Sequence, residues 1–111
     1  MTQLETMLAE LKQIQTERDW EQFHSPRDVA EALIIESAEL LEHYRWGNEP
    51  TDLVALELEA GDVFYNFLLF CQVAKIDPSR ALAATIAKVH VKYPVAGFKG
   101  SSRKYNQPKE Q

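Results

Sequence analysis

The sequence predicts an all-α protein, four helices joined by short loops into a bundle and followed by an irregular basic tail. Three observations carry this. Apolar residues recur at helical spacing, and no segment of note alternates with a period of two. Capping signals stand where the periodic stretches begin, at Thr2, Ser25-Pro26 and Asp77-Pro78. Gly47 and Pro94 stand where such stretches should stop.

Each element follows from local chemistry. Thr2-x-x-Glu5 reads as a capping box opening a first helix that runs towards Asp19 or Trp20. Ser25 caps a second helix, with Pro26 at its first position and Asp28 in its first turn. That helix puts Val29, Leu33, Leu40 and Tyr44 on one face and is expected to end near Trp46-Gly47. After the short loop Asn48-Glu49-Pro50-Thr51, a third helix runs from about Asp52 to Ala74. The fourth starts at Asp77-Pro78 and stops before Pro94, because proline lacks an N–H and restricts its predecessor. Beyond Gly97 periodicity is lost, so residues 96–111 are expected to be an irregular tail of one domain spanning 1–111.

The third helix carries the chemistry. From Val63 to Ala74 no residue is charged, and Val63, Phe64, Phe67, Leu68 and Phe70 point in several directions. Three other helices cannot cover so much apolar surface, so a second copy of the chain is expected. The sequence does not decide between a homodimer and a homotetramer. Yet Glu59 and Asp62 enter this same helix on a stripe with Ala55, Asn66 and Val73. Ionised groups there are costly unless compensated. On the second helix Glu36 and Glu39 form another i,i+3 pair, with His43 on their stripe and Glu31 and Glu42 on the solvated side.

Two acid pairs on neighbouring helices can share a divalent cation. Ligation by oxygen alone favours Mg²⁺, with Mn²⁺ as a substitute, over zinc or iron. A di-iron bundle would want Glu-x-x-His on paired helices, whereas Glu39 and His43 are four apart and no histidine follows Glu59 within a turn.

Composition sets the frame. The chain has 111 residues, 45% of them hydrophobic and 26% charged, which suits one globular domain. Its sole cysteine, Cys71, rules out a disulfide within the chain and fits a reducing compartment. No apolar run is long enough for a membrane span, and the N-terminus lacks a signal pattern. A cytoplasmic protein without a membrane partner is expected. The net charge of −5 conceals an asymmetry: no acid lies between Ala81 and Lys109, while Lys88, Lys92, Lys99, Arg103, Lys104 and Lys109 are basic. One part can hold cations and the other an anion, as a nucleoside triphosphate with its metal requires. The body is too acidic and too poor in base-facing aromatics for a nucleic-acid partner.

Ile35-Glu36-Ser37-Ala38-Glu39-Leu40-Leu41-Glu42, followed by Leu58-Glu59-Ala60-Gly61-Asp62-Val63, resembles the Glu-x-x-Glu and Glu-x-x-Asp motifs of the MazG-like nucleotide pyrophosphohydrolases. The stretch Arg18 to Arg27, with Tyr44-Arg45-Trp46, Lys92-Tyr93-Pro94 and Ser101-Ser102-Arg103-Lys104-Tyr105, is similar to the small dCTP-pyrophosphatase branch. The resemblance covers roughly Leu11 to Tyr105. It implies a tightly oligomeric all-α enzyme that cleaves nucleoside triphosphates between the α and β phosphates. It also implies Mg²⁺ on Glu36, Glu39, Glu59 and Asp62, with Glu39 free enough to act as general base. Lys92, Arg103 and Lys104 would clamp phosphates, Tyr93 belongs to the same motif, and Trp20, His24 and Trp46 would line the base pocket.

Two positions depart from that branch. Asn66 stands where it usually has tyrosine, and Val89 where it has a base-reading asparagine. Valine cannot hydrogen-bond a base edge, although Asn66 can take over part of the polar role. A flatter base profile is therefore expected. The alternative is a non-catalytic helical interaction module, which explains the bundle and the charge split but leaves Glu59 and Asp62 unaccounted for.

Overall fold

The computed structural model describes residues 1–108; Lys109, counted in the charge asymmetry, lies outside the described residues. These form helices and loops with no strand among the described residues: α1 (Gln3–Glu17), a 3₁₀ turn (Glu21–Phe23), α2 (Pro26–Glu42), α3 (Leu53–Ala74), α4 (Pro78–Lys92) and the short α5 (Val95–Phe98). Among the described residues no helix is long and apolar enough to cross a membrane. The chain divides into two compact units, Met1–Ile76 and the remainder from Asp77.

The caps work as their residue types dictate. Thr2 and Glu5 make the reciprocal capping box, and the Ser25 hydroxyl accepts from the Asp28 N–H at 3.1 Å. Asp52 Oδ1 accepts from the Val54 and Ala55 N–H groups, and Asp77 Oδ1 from those of Ser79 and Arg80. Two ends differ from expectation. α1 stops at Glu17 because Asp19 turns into the left-handed region (φ 55°), and Trp20 N–H returns to the Gln15 carbonyl. α2 ends at Glu42 rather than near Trp46. From His43 onward the chain tightens into i→i+3 hydrogen bonds, to Leu40, Leu41 and Glu42 in turn, until Gly47 at φ 136° breaks away.

In the first unit, α2 packs along α3 while α1 crosses it more sparingly. The core is small: Leu11 from α1, Val29 from α2, and Leu68 and Leu69 from α3, with Leu4, Leu8, Tyr65, Phe70 and Val73 around them. Of the predicted apolar face of α2, only Val29 is fully buried. Leu33 and Leu40 instead line an open apolar cleft with Val63, Phe64 and Phe67 of α3. Part of the apolar surface of α3 therefore stays open in this unit; Leu58 is 68% exposed and Phe64 53%.

In the second unit α4 buries none of its residues. Tyr93 anchors the tail, its ring edge-on to Phe98 (5.0 Å) and Tyr105 (6.0 Å). The tail is irregular as expected, apart from the α5 turn, in which Gly97 takes φ 97°.

Candidate functional site

Packing of α2 on α3 converts two i,i+3 pairs into one cluster. One carboxylate oxygen from each of Glu36, Glu59 and Asp62 lies within 4.8 Å of the others. Glu36 and Glu59 are half-buried and Asp62 is exposed, so the second pair is less enclosed in the single chain than an apolar helix alone implied. Even so, Glu36 Oε2 and Glu59 Oε2 are buried with no hydrogen-bond donor. Buried carboxylate oxygens without a hydrogen-bond partner are anomalous by ordinary polar bookkeeping.

The electrostatics register the crowding. Glu59 is pushed from an ordinary 4.5 up to about 8, first by its hydrogen bond with Glu36, then by desolvation, by a hydrogen bond with Glu39, and by repulsion from both. A carboxyl in this setting keeps its proton into the neutral range. The donor set fits a hard divalent cation: oxygen atoms only, from adjacent helices, two of them lacking any other partner. Glu39, itself exposed, borders this cluster and faces a cleft of about 400 Å³.

Glu39, Glu59 and Trp46 line that cleft together with Glu42, His43, Arg45 and Thr51. Trp46 is 80% exposed, with the Arg45 guanidinium 6.0 Å from its ring centroid. Glu42, read from the sequence as solvated, is exposed and lies on the wall of this open cleft. Sequence reasoning does not find Arg45 and Thr51 as lining residues; their one signal is position in the loop beside Trp46.

The remaining sequence candidates lie elsewhere in the first unit or in the second. His24 is half-buried and lines a different cleft, between α1 and α3, with its Nδ1 buried and unpartnered. Trp20 is partly exposed under the Arg18 guanidinium, 5.6 Å from its centroid. Asn66 donates from Nδ2 to the Asp62 carbonyl at 2.9 Å, a bond within its own helix. In the second unit Lys92 Nζ sits 4.4 Å from the Tyr105 ring centroid. Arg103 stacks 4.0 Å from the Phe98 centroid and donates to the Gln107 and Gly97 carbonyls, both at 3.0 Å. Lys104 is exposed, its N–H donating to Gln107 Oε1 at 2.9 Å.

No protein-family model matches the chain. It is 34% identical over 98 residues to dCTP pyrophosphatase 1 of Rattus norvegicus and 33% identical over 100 residues to dCTP pyrophosphatase 1 of Homo sapiens. These matches take up 80% and 82% of this chain but only 58% and 59% of those proteins, so the chain spans well under two thirds of their length. Among solved structures, a pyrophosphatase from Archaeoglobus fulgidus superposes with a TM-score of 0.74 at 30% identity, over 85% of this chain and 94% of that one. An all-α architecture, a four-acid α2–α3 motif and a 30% identical relative covered almost end to end converge: the chain belongs to the MazG-like pyrophosphatase family.

Proposed function

We propose that the protein is a divalent-metal-dependent nucleoside triphosphate pyrophosphohydrolase, releasing a monophosphate and pyrophosphate in a nucleotide-housekeeping role, with Mg²⁺ as the preferred ion and Mn²⁺ able to substitute. The observation that carries this reading is the α2–α3 cluster, where Glu36 and Glu59 each hold a buried carboxylate oxygen without a donor. A divalent cation bound there would offset phosphate charge and make a bound water acidic. Glu36, Glu59 and Asp62 hold it, with Glu39 as a further ligand or neighbour.

The chain's own residues do the rest. Glu39, at the cleft wall and exposed, accepts the proton of the attacking water as general base. Trp46 offers its open indole face for base stacking, and Trp20, His24 and Asn66 complete the nucleotide contacts. Lys92, Arg103, Lys104 and Tyr93 answer the triphosphate. Two of the five guanidinium N–H donors of Arg103 are bound to carbonyls, and the others, the buried and unpartnered Nε–H among them, are left for this. On this reading residues 1–111 act as one domain in the cytoplasm, with neither nucleic acid nor membrane as partner.

The same proposal includes a homo-oligomer. The open cleft of Leu33, Leu40, Val63, Phe64 and Phe67, beside exposed Leu58 and Leu41, is too apolar a surface to leave to water. A second copy covers it; light scattering on a sizing column gives the number of chains, and a lone monomer at micromolar concentration would refute this part.

Turnover in ¹⁸O-labelled water tests the chemistry. The label should enter the monophosphate or pyrophosphate; orthophosphate as first product would make the protein a γ-phosphatase. A panel of canonical and modified nucleoside triphosphates, scored for pyrophosphate, fixes the substrate range. If millimolar Mg²⁺ gives no thermal stabilisation and no triphosphate turns over, the interaction-module reading takes its place.

A further inference from the structure

The cleft beside the carboxylate cluster has an unbalanced wall. Glu39, Glu42 and Glu59 line it with carboxylates, and Arg45 is the one guanidinium among its lining residues. A triphosphate entering there brings further negative charge. A divalent cation at the cluster offsets part of that charge, and a permanently charged donor on the same wall answers more of it. Lys92, Arg103 and Lys104 belong to the other compact unit, whereas Arg45 belongs to the unit that holds the acids.

Local structure favours this placement. The Arg45 N–H donates to the Glu42 carbonyl at 3.2 Å, an i→i+3 bond of the tightened turn after α2. Residues three apart eclipse in such a turn, whereas at α-helical spacing Arg45 would lie rotated by roughly 60° from Glu42. The side chain is exposed and uncommitted. Among the described residues its guanidinium makes no hydrogen bond and no ion pair, although Glu42 precedes it by three residues. Arg27, at the other end of the same helix, is by contrast paired with Glu31 at 3.4 Å. The one contact of the Arg45 guanidinium is the Trp46 ring, 6.0 Å away, at the outer limit for a cation–π pair. Five N–H donors in a planar fork therefore stand beside the acids with little to hold them back.

We propose that Arg45 is a catalytic residue that holds the β- and γ-phosphates, the half of the substrate that is released as pyrophosphate. The proposal rests on the pyrophosphohydrolase reading and deepens it. The oxygen of water bonds to one phosphorus of the α–β bridge as the bridging P–O bond breaks, and the electron pair goes to the bridging oxygen. Glu39 takes the water's proton. Arg45 keeps its own and neutralises charge on the β-phosphate, which is either attacked or expelled. Its fork donates to two phosphate oxygens at once, which a lysine ammonium does not. Withdrawal from the ring also frees the indole for the stacking assigned to Trp46.

Arg45→Gln should lower kcat/KM for a nucleoside triphosphate about a hundredfold. Arg45→Lys, which keeps the charge but not the fork, should lower it about tenfold. A second readout needs no turnover. By calorimetry, magnesium pyrophosphate should bind Arg45→Gln about tenfold more weakly than wild type, while dCMP, which lacks the β- and γ-phosphates, should bind both alike. The melting temperature should stay level, because the exposed guanidinium touches only one ring. If wild-type protein turns over no triphosphate yet binds magnesium pyrophosphate through Arg45, the hydrolase reading fails and the Arg45 assignment stands. If triphosphates turn over and Arg45→Gln matches wild type, the reading stands and the assignment fails. Equal weakening for pyrophosphate and dCMP, or a loss of turnover that tracks a fall in melting temperature in both variants, also overturns it.

Discussion

In the unit Met1–Ile76, like charges are pressed together: Glu36, Glu39, Glu59 and Asp62 converge, and two of their oxygens are buried without a donor. In the unit from Asp77 on, Lys92 and Arg103 are already occupied, one on the Tyr105 ring, the other on Phe98 and two backbone carbonyls. Both sets look alike as ligand-seeking groups in the sequence. The contrast separates groups the fold leaves wanting a counterpart from groups it has largely satisfied. Frustration of the first kind is what a site built for a ligand looks like before the ligand arrives. The second kind organises a tail first and meets substrate with whatever donors remain.

The most severe way to break the comparison is to remove the frustration. Glu59→Gln and Asp62→Asn should each cost two or more orders of magnitude in turnover while the metal-free melting temperature stays level or rises, since each relieves repulsion. Both should lose the rise in melting temperature on adding Mg²⁺. Wild-type activity in either variant would remove the metal assignment.

Titration sharpens the same contrast. Glu59 holds its proton to about pH 8 in the folded chain against an ordinary 4.5. Between those values the folded state binds a proton that the unfolded state has released, so metal-free stability must fall as pH rises through that window. Thermal scans from pH 5 to 8 should show a decline of several degrees, flattened in Glu59→Gln and flattened in wild type by saturating Mg²⁺. A melting temperature that climbs across the range contradicts the cluster.

Trp46→Ala bears on the cleft beside the acids. Losing an indole face should raise KM about tenfold with a smaller effect on kcat, the worth of roughly 1–3 kcal/mol of stacking. The mildest change probes the second unit. Arg103→Lys keeps the charge but cannot bond two carbonyls while lying flat on Phe98, so it should cost about 1 kcal/mol in stability. Denaturant unfolding checks this; no loss there, with a large loss of turnover, would mean that Arg103 answers substrate and not the tail.

Local features are the legible ones in this sequence. Caps at Thr2, Ser25 and Asp77 bond to N–H groups two or three residues on, so their residue types announce them. The acid pairs are visible for the same reason, each lying within one helical turn. That Glu36 meets Glu59 is readable only once two helices are assumed to pack face to face. The end of α2 departs from expectation because nothing in Tyr44-Arg45-Trp46 forbids another helical turn; the tightening after Glu42 belongs to the loop that returns to Asp52. Gln15 gives no signal at all. A glutamine in an amphipathic helix is normally solvated, and its burial depends on Tyr65, fifty residues away. Arg103 likewise declares its charge but not the two carbonyls it holds.

The loop between α2 and α3 has a kinetic consequence. Glu36 and Glu59 are brought together by closing a helical hairpin, a short-range event that belongs early in folding. Closure must therefore push acid against acid before the rest of the unit has formed. Electrostatic resistance of this kind sits in the barrier and not only in the final state. The chain is consequently expected to collapse faster where a proton or a cation already bridges the two helices, so an ion bound between Glu36 and Glu59 would also act as an assembly factor for the hairpin that bears them.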